Sequence, residues 1–322
     1  METGDYMLEI KAFKEEYIDE AARLFAASYE RERVRLPIIP ERKNIINEVS
    51  EALLKIARNP GVAAFRSEAL VGYILETNTA ENFMSKRTAF CIGLYSHCAI
   101  EQDKEHIYQK MYERLSRIWV RNGYHTHEIS IFAGDDVLSF ALYRLGFGMT
   151  HFQLFRELTL PKGKFADVTI KKLDSEAPIR ELNKEHHCYY PNPPLFWIPH
   201  SEYDENEEDR ILSGGMEVLA AFDEDRPIAF FSLKKGGAEA WLFADEKNGC
   251  IAGAYAKEEY RGKGIGKALL RKVVKWAREN GCARLYVEGE SANIYGGNFW
   301  MRHFTPVAFS VRRCIDERIT IE

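Results

Sequence analysis

The chain lacks any paired cysteine motif. Its six cysteines, Cys91, Cys98, Cys188, Cys250, Cys282 and Cys314, stand singly, with no C-x-x-C among them. That spacing argues against a disulfide framework and a zinc site. It predicts reduced, mostly buried thiols in a cytoplasmic protein, with no bound metal. No apolar run approaches the roughly 18 residues that cross a bilayer, so no membrane span is expected. Residues Met1 to Leu8 carry acids and no apolar segment, so no signal peptide is expected either. There is no basic excess: 44 Lys and Arg face 49 Asp and Glu, a net charge of −5. General nucleic-acid binders need the opposite balance to displace counterions from phosphates. With 46% hydrophobic and 29% charged residues, the composition is that of an ordinary globular protein. The length of 322 residues suits two domains of about 150 residues each.

The chain repeats itself once. Leu8-Glu-Ile-Lys-Ala-Phe13 returns as Val168-Thr-Ile-Lys-Lys-Leu173, and the stretch from Phe65 to Tyr73 returns from Phe222 to Phe230. Asn122-Gly123 returns as Asn280-Gly281, and Phe147, Phe152, Arg156 return as Phe304, Phe309, Arg313. These pairs are offset by 157 to 160 residues. Two copies of one mixed α/β unit are expected, 1–159 and 168–322, joined by a Pro- and Gly-containing linker at 160–167. Each copy reads as a strand, one or two helices, a hairpin-like run of strands, a long helix and closing strands. In the second copy, strands are expected at 168–173, 217–222, 228–235, 239–243, 249–256, 283–288 and 305–315. The long helix is expected from Gly264 to Asn280, with Ile265, Leu269, Val273, Trp276 and Ala277 on one face.

Tyr260-Arg-Gly-Lys-Gly-Ile-Gly-Lys267 joins strand 249–256 to that helix. Gly262, Gly264 and Gly266 allow a tight turn and close approach by a ligand. Amides at a helix start, with the helix dipole behind them, suit a phosphate. Arg261, Lys263 and Lys267 add full positive charges. A Walker A loop is excluded, because Ala268 stands where a magnesium-binding hydroxyl is required. A dinucleotide fingerprint would use Gly262 and Gly264, but Lys267 replaces its third glycine. Glu288, at the end of the next strand, could bind a ribose, so a nucleotide-binding oxidoreductase stays open as a weaker reading.

Arg261-x-x-Gly264-x-Gly266 resembles the Q/R-x-x-G-x-G/A motif of the GNAT N-acetyltransferase superfamily. Asn293 followed by Phe299-Trp300 and Phe304 resembles a later segment of the same family. The resemblance covers the second half of the chain well and the first half weakly. It implies two tandem domains, each a mixed, mostly antiparallel sheet flanked by helices. It further implies acetyl-CoA as co-substrate, its pyrophosphate held by backbone amides of Arg261, Gly262, Lys263, Gly264, Ile265, Gly266 and Lys267. The strand edge at Ala254, Tyr255 and Ala256 would pair with the pantetheine arm, and Asn293 would contact that arm from the other side. A backbone amide near Tyr255 or Ala256 would stabilise the oxyanion.

Acyl transfer to an amine needs a base, because an alkylammonium loses its proton only near pH 10.4. Glu288 and Glu290 are the candidates. The family often places a tyrosine acid seven residues after the asparagine; here that position is Trp300, whose indole cannot serve. Tyr255, Tyr295 or His303 could replace it, or the thiolate could leave unaided. In the first copy, Asp103-Lys-Glu-His-Ile-Tyr108 stands at the phosphate loop with two acids and no glycine. That copy is therefore expected not to bind CoA, and to pack against the second copy, support it or close its acceptor site. The acceptor side of the second copy should be lined by His186, His187, the aromatic-proline run Tyr189 to Trp197, and the acidic run Glu202 to Asp209. The histidine pair and the aromatic run read equally as packing, and the acidic run as a solvated face. A small-molecule or peptide amine is the expected acceptor. A non-catalytic acyl-CoA-binding or scaffold protein is the alternative. The oligomeric state, monomer or homodimer, is left open.

Overall fold

The computed structural model describes residues 7–175, 177–198, 215–238 and 240–321. The chain divides into two compact units: the described parts of Met1–Phe152 with Pro306–Glu322, and Gln153–Thr305. Unit 1 begins with β1 (Glu9–Ala12), α1 (Ile18–Arg35), α2 (Ile45–Ile56), β2 (Gly61–Arg66), β3 (Ala69–Leu75), β4 (Asn78–Phe83) and β5 (Lys86–Cys91). It continues with β6 (His97–Ala99), α3 (Lys104–Arg121), β7 (Thr126–Phe132) and α4 (Asp136–Arg144). Strand β8 (Gly148–Glu157) starts in unit 1 and ends in unit 2. Unit 2 then adds β9 (Thr169–Leu173), α5 (Arg180–Tyr189), β10 (Glu217–Asp223), β11 (Arg226–Lys235) and β12 (Asn248–Ala256). It closes with α6 (Ile265–Glu279), β13 (Arg284–Glu290) and α7 (Ile294–His303). The last strand, β14 (Thr305–Cys314), belongs almost wholly to unit 1, where it pairs antiparallel with β7.

The unit boundaries differ from the sequence expectation of 1–159 and 168–322. Residues 306–322 leave the second copy for unit 1, and the end of β8 and the expected linker 160–167 belong to unit 2. Proline and glycine mark where regular structure stops, but say nothing of what that stretch packs against.

In unit 2 the sheet order is β13-β12-β11-β10-β9, with the end of β8 beside β13. From β9 to β12 every pair is antiparallel; β12 and β13 are parallel. One face carries Leu173, Val218, Ala220, Phe222 and Phe230, which pack with Ile179 and Leu182 around α5. The period-2 alternation of β10 puts these side chains together. On α6, Ile265, Leu269, Val273, Trp276 and Ala277 are all buried, as their spacing requires. Helices α3 and α6 run out at Asn122 and Asn280, before Gly123 (φ +81°) and Gly281 (φ +69°). Of the strand expected at 239–243, the described residues 240–243 form none. Trp241–Phe243 is a 3₁₀ turn with Leu242 and Phe243 buried, so its apolar run reflects burial and not pairing.

Among the described residues no helix is long and apolar enough to cross a membrane. Cys91, Cys98, Cys250 and Cys282 are buried free thiols, while Cys188 and Cys314 are exposed.

Candidate active site

A turn at Glu258–Tyr260 leads from β12 into the glycine loop, and α6 starts at Ile265. Gly262 (φ +73°) and Gly264 (φ +88°) both take the left-handed conformation that L side chains resist. A Cβ at Gly262 would meet nothing within 4 Å, so the loop backbone there lies open to an approaching group. A Cβ at Gly264 would stand 3.2 Å from the Ala166 backbone nitrogen. Lys263, Lys267 and Arg271 have no carboxylate within ion-pair distance among the described residues. Elsewhere in unit 2, Lys172, Lys257, Arg226 and Arg284 each pair with an acid. Positive charge without compensation, beside open amides at a helix start, is an environment for phosphate.

The loop sits beside a gap in the sheet. Strands β12 and β13 are in register only at Asn248–Arg284, Gly249–Leu285 and Cys250–Tyr286. Beyond Ile251 the residues of β12 are exposed or half-buried. Its other edge stays paired to β11, with Ala256 opposite Ala229 and Tyr255 opposite Phe230. The Lys257 N–H donates to the Ile228 carbonyl at 3.0 Å, which sets the phase of that ladder. Antiparallel alternation then commits the Tyr255 backbone to β11 and turns the N–H and C=O of Ala254 and Ala256 toward the gap. The Arg261 Nε donates to the Ala256 carbonyl at 3.0 Å, which agrees with that phase. At the far side, Asn293 caps α7, its Oδ1 accepting from the Gly296 N–H at 2.9 Å.

Residues 179–304 match the model of the Acetyltransferase (GNAT) family. That match lies within unit 2. Streptothricin acetyltransferase A of Bacillus subtilis is 31% identical over 96 residues, 25% of this chain. The chain covers 54% of that relative, about half its length. Among solved structures, a GCN5-related N-acetyltransferase from Sphaerobacter thermophilus aligns with a TM-score of 0.56. It is 13% identical and covers 98% of this chain and 97% of its own. The GCN5-related glucosamine N-acetyltransferase region of a fungal multi-domain GH3 β-N-acetylglucosaminidase aligns with a TM-score of 0.52. It too is 13% identical, covering 96% of this chain and 38% of that one. At such identities the likeness establishes the fold.

In unit 2, α5 walls the open stretch of β12. Its Glu185 pairs with Lys257 at 2.5 Å. His186 lies against Tyr255, Tyr190 and Phe230, with ring centroids 5.5 to 6.3 Å away. Burial, and then His187, push the His186 pKa down to about 4, so it is neutral at ordinary pH. The Arg261 guanidinium lies 5.2 Å from the Tyr189 ring, 5.6 Å from Tyr255 and 5.0 Å from Tyr295. Burial raises the Tyr255 pKa, the charge of Glu185 adds to this, and Arg261 opposes it. Tyr190 is raised by burial and then by the charge of Glu290. Glu288 is exposed and accepts the Tyr286 hydroxyl at 2.5 Å.

Several expectations sort themselves on this geometry. Asn293 accepts from the Tyr189 hydroxyl at 3.4 Å; with that Oδ1 used in capping, its Nδ2 is the group left to contact a ligand. Trp300 is a core residue, 7% exposed and packed on Phe231, Phe299 and Phe304. His303 lies at the opposite end of α7 from Asn293, about 15 Å along the helix, and is not brought to the gap. The dinucleotide-fingerprint reading fails on topology, since from β9 to β13 only the β12–β13 pair is parallel, whereas that fold needs a run of parallel strands. The acidic run 202–209 lies outside the described residues. Glu185 was not singled out in the sequence, although it sits four residues before Tyr189, on the same helical face.

Unit 1 keeps the left-handed cap of the helix and fills the space beside it. Asp103 caps α3 in the left-handed region (φ 56°), as Gly264 caps α6. Asp135 caps α4 by accepting from the Leu138 N–H at 3.0 Å, as Asn293 caps α7. Between these caps runs Lys104, 4% exposed, its ammonium 2.8 Å from both Asp135 and Glu101. Asp103 itself pairs with Arg66 at 2.8 Å.

Proposed function

We propose that unit 2 is an acyl-CoA-dependent N-acyltransferase, moving an acetyl group to a primary amine by direct attack in a ternary complex. One observation carries the reading: a phosphate-suited loop with partner-free cations opens directly onto an unpaired strand edge. The loop 261–267 would hold the pyrophosphate of acetyl-CoA, and Ala254 and Ala256 would pair with its amide-bearing arm. The bound thioester supplies the activated acyl group. The Ala256 N–H, which faces the gap, is the donor for charge developing on the acyl oxygen; the Tyr255 N–H is committed to β11. Glu290 takes the role of base in preference to Glu288, because it is half-buried and its charge is felt at Tyr190, while Glu288 is exposed and bonded to Tyr286. Tyr255, kept protonated by burial, can return a proton to the leaving thiolate. The acceptor is a small-molecule or peptide amine, and streptothricin is a sensible first compound to try. Unit 1, with Lys104 occupying the equivalent gap, is read as a degenerate copy that binds no CoA.

Gly262→Asp is the decisive variant. Asp enters the left-handed region at less cost than most L residues, and the site is sterically open, so the fold should be kept with a small loss of stability. A carboxylate beside the phosphates should weaken acetyl-CoA binding by about a hundredfold or more in a calorimetric titration. Wild-type affinity in a folded variant would refute the loop assignment. Trp300, buried where an acid is expected, favours a second reading, a non-catalytic acyl-CoA-binding module. Acetyl-CoA binding without amine-dependent thiol release across an acceptor panel would decide for it.

A further inference from the structure

Residues 163–166, which the sequence suggests are a linker, lie against the phosphate loop. The Cβ position of Gly264 is 3.2 Å from the Ala166 nitrogen, 3.6 Å from the Phe165 carbonyl carbon and 3.7 Å from the Lys164 oxygen. This backbone contact seats Phe165 on the first two turns of α6. There the Lys267 ammonium is 5.4 Å from the ring centroid and the Arg271 guanidinium 5.1 Å. Lys267 and Arg271 are four residues apart, so they project from one helix face. Neither has a carboxylate partner among the described residues, and Phe165 is half-buried in a stretch without regular structure. Two unneutralised cations and one aromatic ring, continuous with the loop, form a surface for a planar base that carries a phosphate.

We propose that Phe165, Lys267 and Arg271 form the subsite for the nucleotide end of the ligand, the ring stacking on the adenine and the two cations holding the ribose 3′-phosphate. The assignment rests on the acyl-CoA reading of the adjoining loop. Arg271 supplies the bidentate fork that a phosphate prefers, and Lys267 stands between that phosphate and the pyrophosphate. With ligand bound, the cations turn from the ring to the phosphate and free a ring face for the base. Residues 163–166 are thus part of the binding wall.

The test is calorimetric titration of the full chain with CoA and with 3′-dephospho-CoA. The wild type should bind CoA at least about tenfold more tightly, the difference expected from losing charge-assisted hydrogen bonds. Arg271→Gln should bring the two affinities within about twofold of each other by weakening CoA alone. Phe165→Leu should weaken both ligands by a similar factor, about tenfold for a lost base stack. Equal wild-type affinities would overturn the subsite and leave the acyl-CoA reading standing. An Arg271→Gln variant that loses both ligands equally would also overturn it, making Arg271 a structural residue. Failure of the wild type to bind either ligand would overturn the acyl-CoA reading and the subsite with it.

Discussion

Glu76 is 7% exposed in unit 1, and its Oε2 accepts the Trp119 indole N–H at 2.8 Å. Burial raises its pKa from 4.5 to about 7, and the indole bond only partly offsets this. The folded state therefore holds the proton more tightly than the unfolded chain does. Its stabilising effect is complete below about pH 4.5 and is lost as pH rises through about 7. Glu76→Gln should keep the bond to Trp119 and remove this pH dependence. In urea unfolding of the two proteins, the variant should gain on the wild type by about 2 kcal/mol between pH 5 and pH 8. A constant difference across that range would show that Glu76 is not the buried acid described. Nothing in the sequence marks Glu76. Its burial depends on Trp119, which is 43 positions away.

At the scale of elements, much was legible in advance. The face of α6 and the loop before it are local patterns, and a 3.6-residue period or a glycine spacing survives without tertiary context. The 3₁₀ turn at Trp241–Phe243 was not legible, because an apolar triplet looks alike whether it pairs or merely buries. Asn293 was expected as a contact residue, and its cap was not legible, since capping depends on where α7 begins. The proposed contact and the cap separate by mutation. Asn293→Ala should cost about 1 kcal/mol of stability and weaken acetyl-CoA binding. Asn293→Asp should retain the cap, and with it the thermal midpoint, while losing the Nδ2 donor and adding negative charge. Acetyl-CoA should then bind the Asp variant at least about tenfold more weakly than the wild type. Wild-type affinity in the Asp variant would mean that Asn293 only caps.

At the scale of the molecule, the internal repeat announced two similar units but misplaced their limits. Strand partners of distant sequence leave no local mark, so nothing in residues 306–314 announces that β14 pairs with β7. The consequence can be measured with fragments. Residues 153–305 form one compact unit and should unfold cooperatively in urea. A fragment 160–322, cut where the repeat suggests, lacks the end of β8 beside β13 and carries β14 without its partner β7. It should unfold at lower urea with a broader transition. Equal midpoints and slopes for the two fragments would refute the division.

An unpaired strand edge invites any passing chain to add to it. Past Cys250, β12 has such an edge in the interior of a sheet, with the polar groups of Ala254 and Ala256 turned outward. Arg261 lies across it, bonded to the Ala256 carbonyl and flanked by Tyr189, Tyr255 and Tyr295. In Arg261→Ala that cover is gone, and concentrated ligand-free protein should self-associate more readily in light scattering, with acetyl-CoA in excess restoring monodispersity to the extent that it still binds. Equal dispersity of variant and wild type without ligand would show that the edge needs no cover. On the proposed binding mode, one side chain would then both meet the co-substrate and guard against aggregation, and selection for solubility alone would be enough to retain it.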